Sequence, residues 1–579
     1  MPDLPPYDPY AEQPPSFWEQ NLALVCAVAA GFGTALLTVL SFPPCNVPEF
    51  AYAFAVPAIF WAYERPGFKL FAAVVLGGQA VAWTILLGWL HHVTWLGLLL
   101  LGPFVGVWTG LWFLGAWWLL PRMRGRQVLA RLLAMLGLAG LWVVIEWTRS
   151  WFLGGFPWLP LAASQWQRSA VLQIAAYTGA WGVSFVLIVF NLGFATWFHH
   201  ALREGTPSLR RRPPEFMFAL ILLMFATMLP LSETFNRGGF ARPLARVAFV
   251  QPDIPQAVKW DPARGPAILE VLEKATLAAA ASDPDVILWP EATTPWAVHG
   301  DENVRAWVEG LVRKAHVPLV LGSDAIEHGG RPDEAWYNAA FVVDPSAGLQ
   351  PAYYAKRKLV PFGEFVPLRP LLGWLKKIVP VGDDDYSRGR AAQMLTVNCG
   401  DRTLTFGPLI CYEDTFPDLA RDNALAGADA LVVLTNNAWF GEGGAAYQHA
   451  AHSVLRAVET RRPVLRCGNA GWSGWIDEFG AVRAVLQRGA DGQPTTDPAA
   501  PDGTIYFRGT QTVEVTRDAR WIGRQSYYTL HGDWFVLWCA GLAVLGAAAV
   551  SVGRPPAPPA DGPDAPGGED RPLFRRRKD

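Results

Sequence analysis

A helix that crosses a bilayer needs about 20 consecutive apolar residues, and this chain supplies such runs repeatedly. Leu22–Leu40, Leu70–Leu90, Trp95–Leu120, Val171–Trp197, Phe216–Leu231 and Trp534–Val552 are each free of Asp, Glu, Lys and Arg. Two further runs are weaker. Phe50–Tyr63 is short and contains Pro57, and Leu132–Ile145 is bounded by Arg131 and Glu146, whose side chains can snorkel to the interface. The expectation is an α-helical transmembrane bundle of about eight spans, seven early and one at the end. Composition agrees. Hydrophobic residues make up 51% and charged residues 17%, where a soluble chain carries about a quarter charged. The 28 tryptophans suit rings that sit at a membrane–water boundary. A net charge of −2 excludes a nucleic-acid partner recruited by bulk basicity.

Loop charges give a sidedness. Arg65 and Lys69, then Arg122, Arg124, Arg126 and Arg131, then Arg203 and Arg210 to Arg212, and finally Arg575 to Lys578 fall in alternate loops. By the positive-inside rule these are cytoplasmic. Both termini are then expected inside and the large segment after the seventh span outside. Leu22–Leu40 lacks a basic flank and a small-residue cleavage site, so it is read as a retained span. Residues 1–17 and 553–579 are rich in Pro, Gly and charge and are expected to be flexible tails.

From about residue 241 to 520 the texture changes. Strand-length apolar runs (Arg246–Gln251, Val286–Trp289, Pro318–Gly322, Asn338–Val343, Leu404–Ile410, Ala430–Leu434, Val464–Arg466) alternate with helical stretches (Ala267–Ala281, Asn303–Ala315, Ala446–Thr460). That alternation predicts an α/β domain. Six cysteines occur, without a CxxC pair, so neither zinc spacing nor a disulfide framework is legible. Three polar residues stand beside strand-like runs: Glu291, Lys356 and Cys411. A thiol, a carboxylate and an ammonium make a nucleophile, a base and an oxyanion partner. By residue type alone this is weak evidence, and a buried Cys with a solvated Glu and a surface Lys is the more ordinary reading.

The words around the three residues are more specific. Val-Ile-Leu-Trp-Pro-Glu (286–291), Lys-x-x-Leu-Val-Pro-Phe-Gly-Glu (356–364) and Ile-Cys-Tyr-Glu (410–413), in this order, resemble the nitrilase superfamily. The resemblance implies an α-β-β-α sandwich with Glu291 as base, Lys356 as oxyanion partner and Cys411 as nucleophile. Joined to many spans, the chain resembles the membrane-embedded apolipoprotein N-acyltransferase family. Val250–Trp260, Asn436–Gly441, Tyr447–His449, Glu146–Arg149, Gly155–Trp158 and Gly532–Trp534 carry the likeness further. It implies Glu364, Glu413, Tyr412, Trp260 and Trp439 around the substrates, and a thioester passed from a phospholipid donor to a diacylated apolipoprotein at the bilayer. It names no cofactor and no metal. The expected domains are tail 1–17, spans 18–240, an extracytoplasmic catalytic domain 241–520, a last span 521–552 and tail 553–579, in a bacterial inner membrane. Leu359–Val381, apolar with Lys376 and Lys377, is expected to be an interfacial arm.

Two departures stand out. Asn437 occupies a position where the family has Asp, and Asn469–Ser473 differs from the family's segment. Two rival readings stay open. A membrane-anchored nitrilase or amidase could use the same trio on a small C–N substrate, although one span would suffice as its anchor. A scaffold or transporter would need intramembrane charges, and the few present (Arg131, Glu146, Arg149) lie near span ends.

Overall fold

The computed structural model describes residues 17–204, 212–228, 234–259, 261–367, 369–373, 385–400, 402–500 and 503–552. Both expected tails lie almost wholly outside these residues. Among those described, six helices are long and apolar enough to cross a membrane: Ala23–Leu40, Phe68–Leu86, Trp95–Met123, Val128–Thr148, Ala180–Leu202 and Trp534–Ser551. That is fewer than the eight expected, for identifiable reasons. Pro48 and Pro57 confine the second segment to a 3-10 turn, Pro48–Tyr52, and an eight-residue helix, Val56–Tyr63, roughly 12 Å long at 1.5 Å per residue. The expected span Val171–Trp197 is present but shifted: Gly179, at φ +69°, separates short turns from the helix Ala180–Glu204, which is among the six. Pro214–Met228 has fifteen residues, and residues 229–231 of that expected span lie outside the description. Conversely, the weak run Leu132–Ile145 becomes the full helix Val128–Thr148.

Hydrogen bonds identify the two ends of the bundle. At one end Arg124 donates to the Tyr63 carbonyl, Arg65 to Pro121 and Arg126 to Val550 and Val552, while Arg131 pairs with Glu215. The basic loops described thus gather on one face, and the α/β domain meets the other. Helix contacts in the bundle are close. A Cβ on Gly140 would lie 2.4 Å from the Cys539 carbonyl oxygen, and Gly137 faces Gly546 across the same seam. Small residues let backbones approach where lipid offers no hydrophobic drive between helices.

The α/β domain is built on two facing sheets. The first has the order β15-β1-β2-β3-β4-β5 with β6 on β4, using β1 (Ala241–Gln251), β2 (Val286–Leu288), β3 (Leu319–Glu327), β4 (Ala335–Asp344), β5 (Gly348–Leu349), β6 (Tyr354–Ala355) and β15 (Gly509–Asp518). The second has the order β12-β11-β10-β9-β8-β7, using β7 (Leu395–Cys399), β8 (Arg402–Ile410), β9 (Ala430–Thr435), β10 (Val464–Gly468), β11 (Gly474–Ile476) and β12 (Val482–Val485). A small ribbon, β13 (Gln487–Arg488) with β14 (Pro494–Thr495), stands apart. Between the sheets Val247, Phe249, Leu288 and Val342 meet Val397, Phe406, Val432 and Leu465 in one core. Helices Gly265–Ala280 and Glu302–Ala315 cover the first sheet, and Pro417–Leu425 and Ala445–Thr460 the second. This is the expected four-layer sandwich. Glu302–Ala315 starts where Asp301 accepts from the Asn303 and Val304 amides and stops at His316, φ +58°, a capped start and a left-handed finish.

Helix Ala445–Thr460 has no outer face. All its residues except Tyr447 are buried, because the membrane part packs on the side away from the sheet. One continuous core holds Ala450, Val454 and Val458 of this helix together with Trp158, Leu172 and Leu187. The seam between Val128–Thr148 and the last helix is testable. Gly140→Val is expected to cost about 1–3 kcal/mol by overpacking and to lower the melting midpoint by several degrees in detergent. Gly541→Val, where an added Cβ meets nothing within 4 Å, is expected to leave that midpoint within a degree or so.

Candidate active site

Strand ends bring the polar residues together. Glu291 follows β2, Lys356 follows β6, Cys411 follows β8, and Asn338 sits within β4. The Lys356 ammonium donates to Glu291 Oε1 at 3.2 Å and Glu364 Oε1 at 2.8 Å. The Asn338 amide donates to the same two oxygens, at 2.8 and 2.9 Å. The Cys411 thiol lies near enough to the Glu291 carboxylate, and to Thr435 at the end of β9, for both to act on its proton. Lys356 and Cys411 are 1% and 7% exposed, so water barely screens these charges.

Charge states follow from the contacts. Burial alone would raise the Glu291 carboxyl. The Lys356 ammonium, the Asn338 amide and the Lys259 ammonium outweigh it and hold Glu291 below the usual carboxylate range. Burial also opposes the Lys356 charge, but Glu291 and Glu364 keep that amine well above its ordinary value. Burial pushes the Cys411 thiol up to about 12, with Glu291 adding to the rise. The resting site is therefore a carboxylate, an ammonium and a neutral thiol. Such a set can deprotonate sulfur during attack and then receive an oxyanion beside the ammonium.

The nucleophile's backbone is fixed from behind. Cys411 has φ +52°, a left-handed conformation that costs a non-glycine residue free energy unless its surroundings impose it. His449 Nε2 lies 3.1 Å from the Cys411 carbonyl oxygen and 2.9 Å from Asp414 Oδ1. Arg466 and Ser453 both donate to Asp414 Oδ2. Glu413 works from the front. Its Oε1 accepts from the Arg357 and Lys358 amides at 2.6 and 3.0 Å, and its Oε2 from the Tyr354 hydroxyl and Ile410 amide, both at 2.8 Å. With all four acceptor positions occupied, it joins the Lys356 segment to the Cys411 turn. Glu364 lies in the cluster itself, and its Oε2 accepts from the Val360 amide.

The aromatic residues divide. The Tyr412 hydroxyl donates to the Gly155 carbonyl in the membrane part at 2.8 Å, and its ring faces Phe156 and Phe416. Trp439 is half-buried in the turn Asn437–Phe440, where its neighbour Phe440 packs at a tilt on Trp89 and edge-on to Trp158. Trp260 lies outside the described residues, as do Leu368 and residues 374–384 of the expected arm Leu359–Val381. Asn437, at the departed family position, lies 3.0 Å from His449 Nδ1. Sequence reasoning missed Asn338 and Lys259. The signal for Asn338 was present, as a lone amide opening an apolar strand run.

A carboxylate with a depressed pKa stays ionised, and so able to take a proton, until the pH falls through that lowered value. Alkylation of Cys411 by iodoacetamide, followed by intact mass, is expected to keep its base-assisted rate at pH 5 and lose it only below the ordinary glutamate value near 4.3. Glu291→Gln is expected to slow it about 10²- to 10⁴-fold. An unchanged rate in that variant would remove Glu291 as the base.

Comparisons with known proteins address both parts. Residues 246–507 match the carbon-nitrogen hydrolase family model, and residues 34–193 match the apolipoprotein N-acyltransferase N-terminal domain. An apolipoprotein N-acyltransferase of Geobacter metallireducens is 32% identical over 371 residues, 64% of this chain and 65% of that protein. One of Azotobacter vinelandii is 34% identical over 335 residues, 58% of this chain and 61% of that protein. The chain thus aligns with somewhat under two thirds of these relatives' length. A solved amidase from Nesterenkonia sp. is 18% identical, with a TM-score of 0.33, and covers 50% of this chain and 97% of its own. Residues 246–507 thus carry a carbon–nitrogen hydrolase domain, and the membrane and catalytic parts together are similar to apolipoprotein N-acyltransferases.

Proposed function

We propose that this chain is an N-acyltransferase that moves an acyl group from a phospholipid, through a Cys411 thioester, to the α-amine of a diacylglyceryl-cysteine at the N-terminus of an apolipoprotein. The observation that carries this reading is the bond from Tyr412, next to the nucleophile, to Gly155 of the membrane part. It places Cys411 on the seam between the catalytic fold and the bundle, where a lipid ester can arrive. The names of the matched relatives support the same activity.

In the first half, Cys411 Sγ attacks the ester carbonyl carbon and its proton passes to Glu291. The oxyanion forms beside the Lys356 ammonium. Collapse breaks the ester C–O bond, and the leaving lysophospholipid oxygen takes the proton from Glu291. In the second half, the acceptor amine attacks the thioester carbon and gives its proton to Glu291. The C–S bond breaks, the sulfur recovers a proton, and an amide has formed. Glu364 holds Lys356 from its other side. Tyr412, Trp260 and Trp439 are assigned to the substrate pocket by the family resemblance, as is Glu413, whose bonds here favour a bracing role. No step requires a metal or an organic cofactor.

The localisation proposed is a bacterial inner membrane, with the catalytic domain (241–520) on the periplasmic side and both termini cytoplasmic. The gathering of Arg65, Arg124, Arg126 and Arg131 at the bundle end away from that domain supports it. The reading as a small-amide hydrolase shares the trio but leaves the many-helix bundle without a purpose.

Incubation with phospholipid alone is expected to add one acyl mass to Cys411, removed when a diacylated lipopeptide is supplied. Ammonia release from a small amide without lysophospholipid would reverse the choice. Cys411→Ser at the native rate would take the reaction away from this residue altogether. Sidedness has its own check. Cys45 is exposed in the segment that meets the α/β domain, where Gln448 donates to the Pro43 carbonyl. An impermeant maleimide should label it in intact spheroplasts, and labelling only after lysis would invert the orientation.

A further inference from the structure

Lys259 ends the short helix Gln256–Lys259 and is 1% exposed. The proposed chemistry does not use it. Its Nζ donates to the backbone carbonyl of Glu291 at 3.1 Å. That carbonyl belongs to an unusual turn. Ala292, the next residue, has φ +43°, so the chain leaves β2 through a left-handed step. On the opposite side the Gly322 amide donates to the Pro290 carbonyl and the Thr293 amide to that of Gly322. A Cβ on Gly322 would lie 2.7 Å from Glu291 Cα. The base is thus gripped between β3 and the Lys259 ammonium.

A backbone N–H or a hydroxyl could satisfy a buried carbonyl at less cost than a buried amine, whose charge must be taken out of water. The surroundings of Lys259 compensate that charge. Glu291 after β2 and Asp324 on β3 are the carboxyl groups whose fields reach it, and Cys411 after β8 would add to them only when ionised. Burial lowers its amine to about 8, and the two carboxyl groups oppose the fall, so it remains mostly charged at neutral pH. Around them stand Lys356, already bonded to both Glu291 and Glu364, and Tyr386, whose hydroxyl donates to Asp324 at 3.0 Å. One lysine would otherwise face Glu291, Glu364 and Asp324 together.

We propose that Lys259 is a positioning residue for the general base: its ammonium clamps the Glu291 carbonyl and sets a second positive charge behind the Glu291 carboxylate. The inference rests on the assignment of Glu291 as base to Cys411. It adds that the base is kept ionised by two lysines with different duties. Lys356 faces the reacting atoms, and Lys259 acts through Glu291.

The full-length protein carrying Lys259→Met or Lys259→Gln tests this by two readouts. The first is the pH dependence of Cys411 alkylation by iodoacetamide, which needs no lipid. Loss of the positive charge raises the Glu291 pKa, so the acid limb is expected to move to higher pH in both variants. The second is lysophospholipid release, where kcat is expected to fall about 10- to 100-fold with KM for phospholipid within about twofold. Lys259→Arg, which keeps charge and donor, is expected to recover most of kcat and the native limb. Lys259→Gln keeps an N–H for the carbonyl and decides the matter if Lys259→Met does not fold. A native limb and native kcat in either folded variant overturn the proposal, as does a rise in KM alone, which would make Lys259 a substrate contact. If the limb moves in the variants while the native protein releases no lysophospholipid, the acyltransferase reading falls and the role of Lys259 stands.

Discussion

The carboxamide of Gln448 makes every hydrogen bond it can, and all four reach the membrane part. Its Nε2 donates to the Pro43 and Leu86 carbonyls, and its Oε1 accepts from the Trp89 and Trp158 indoles, at 2.9 to 3.0 Å. Each buried partner left unpaired would cost about 1–3 kcal/mol, so the bundle and the α/β domain are held as one body. The next residue, His449, turns the other way and reaches the Cys411 carbonyl. Consecutive residues on one buried helix therefore tie the membrane helices and the nucleophile to the same short stretch of backbone.

This arrangement explains a helix that composition alone would place at a surface. Ala445–Thr460 carries Gln448, His449, His452, Ser453, Arg456 and Glu459, yet all are buried. Their partners are supplied from both sides. The Leu159 amide donates to His452, Glu459 accepts from the Ala180 amide, and Arg456 pairs with Glu459 and donates to the Asp414 and Thr415 carbonyls. A polar helix can be interior only when a second structure meets its polar groups. The membrane part is that structure.

Much of this was legible in the residues, and the rest fails to show for physical reasons. The seven expected strands all form, because alternating or continuous apolar runs report burial directly. Eight further strands among the described residues were missed; the two longest are β15, since Gly509–Asp518 is rich in Thr and charge, and β7, since Leu395–Cys399 is short. The order of Glu291, Lys356, Glu364 and Cys411 along the chain could be read as a motif, and folding brings them into one cluster. Asn338 showed only as a lone amide opening a strand run, and Lys259 not at all, because their meaning lies in carboxylate and carbonyl atoms distant in sequence. Among the described residues two of the eight expected spans do not reach spanning length, one shortened by prolines and one whose last residues lie outside the description. Hydropathy averages over a window and does not record the break that a proline makes.

The neutral resting thiol has a consequence beyond catalysis. Thiolate, not thiol, is what peroxides, disulfides and stray electrophiles attack. A cysteine pushed up to about 12 and shielded behind Glu291 offers almost none of the reactive form until an acyl carbonyl sits in front of it. On the periplasmic side proposed for this domain there would be no glutathione pool to repair a sulfenic acid. Burial that keeps Cys411 protonated at rest thus also preserves it, and its reactivity depends on Glu291 taking the proton as the electrophile is attacked.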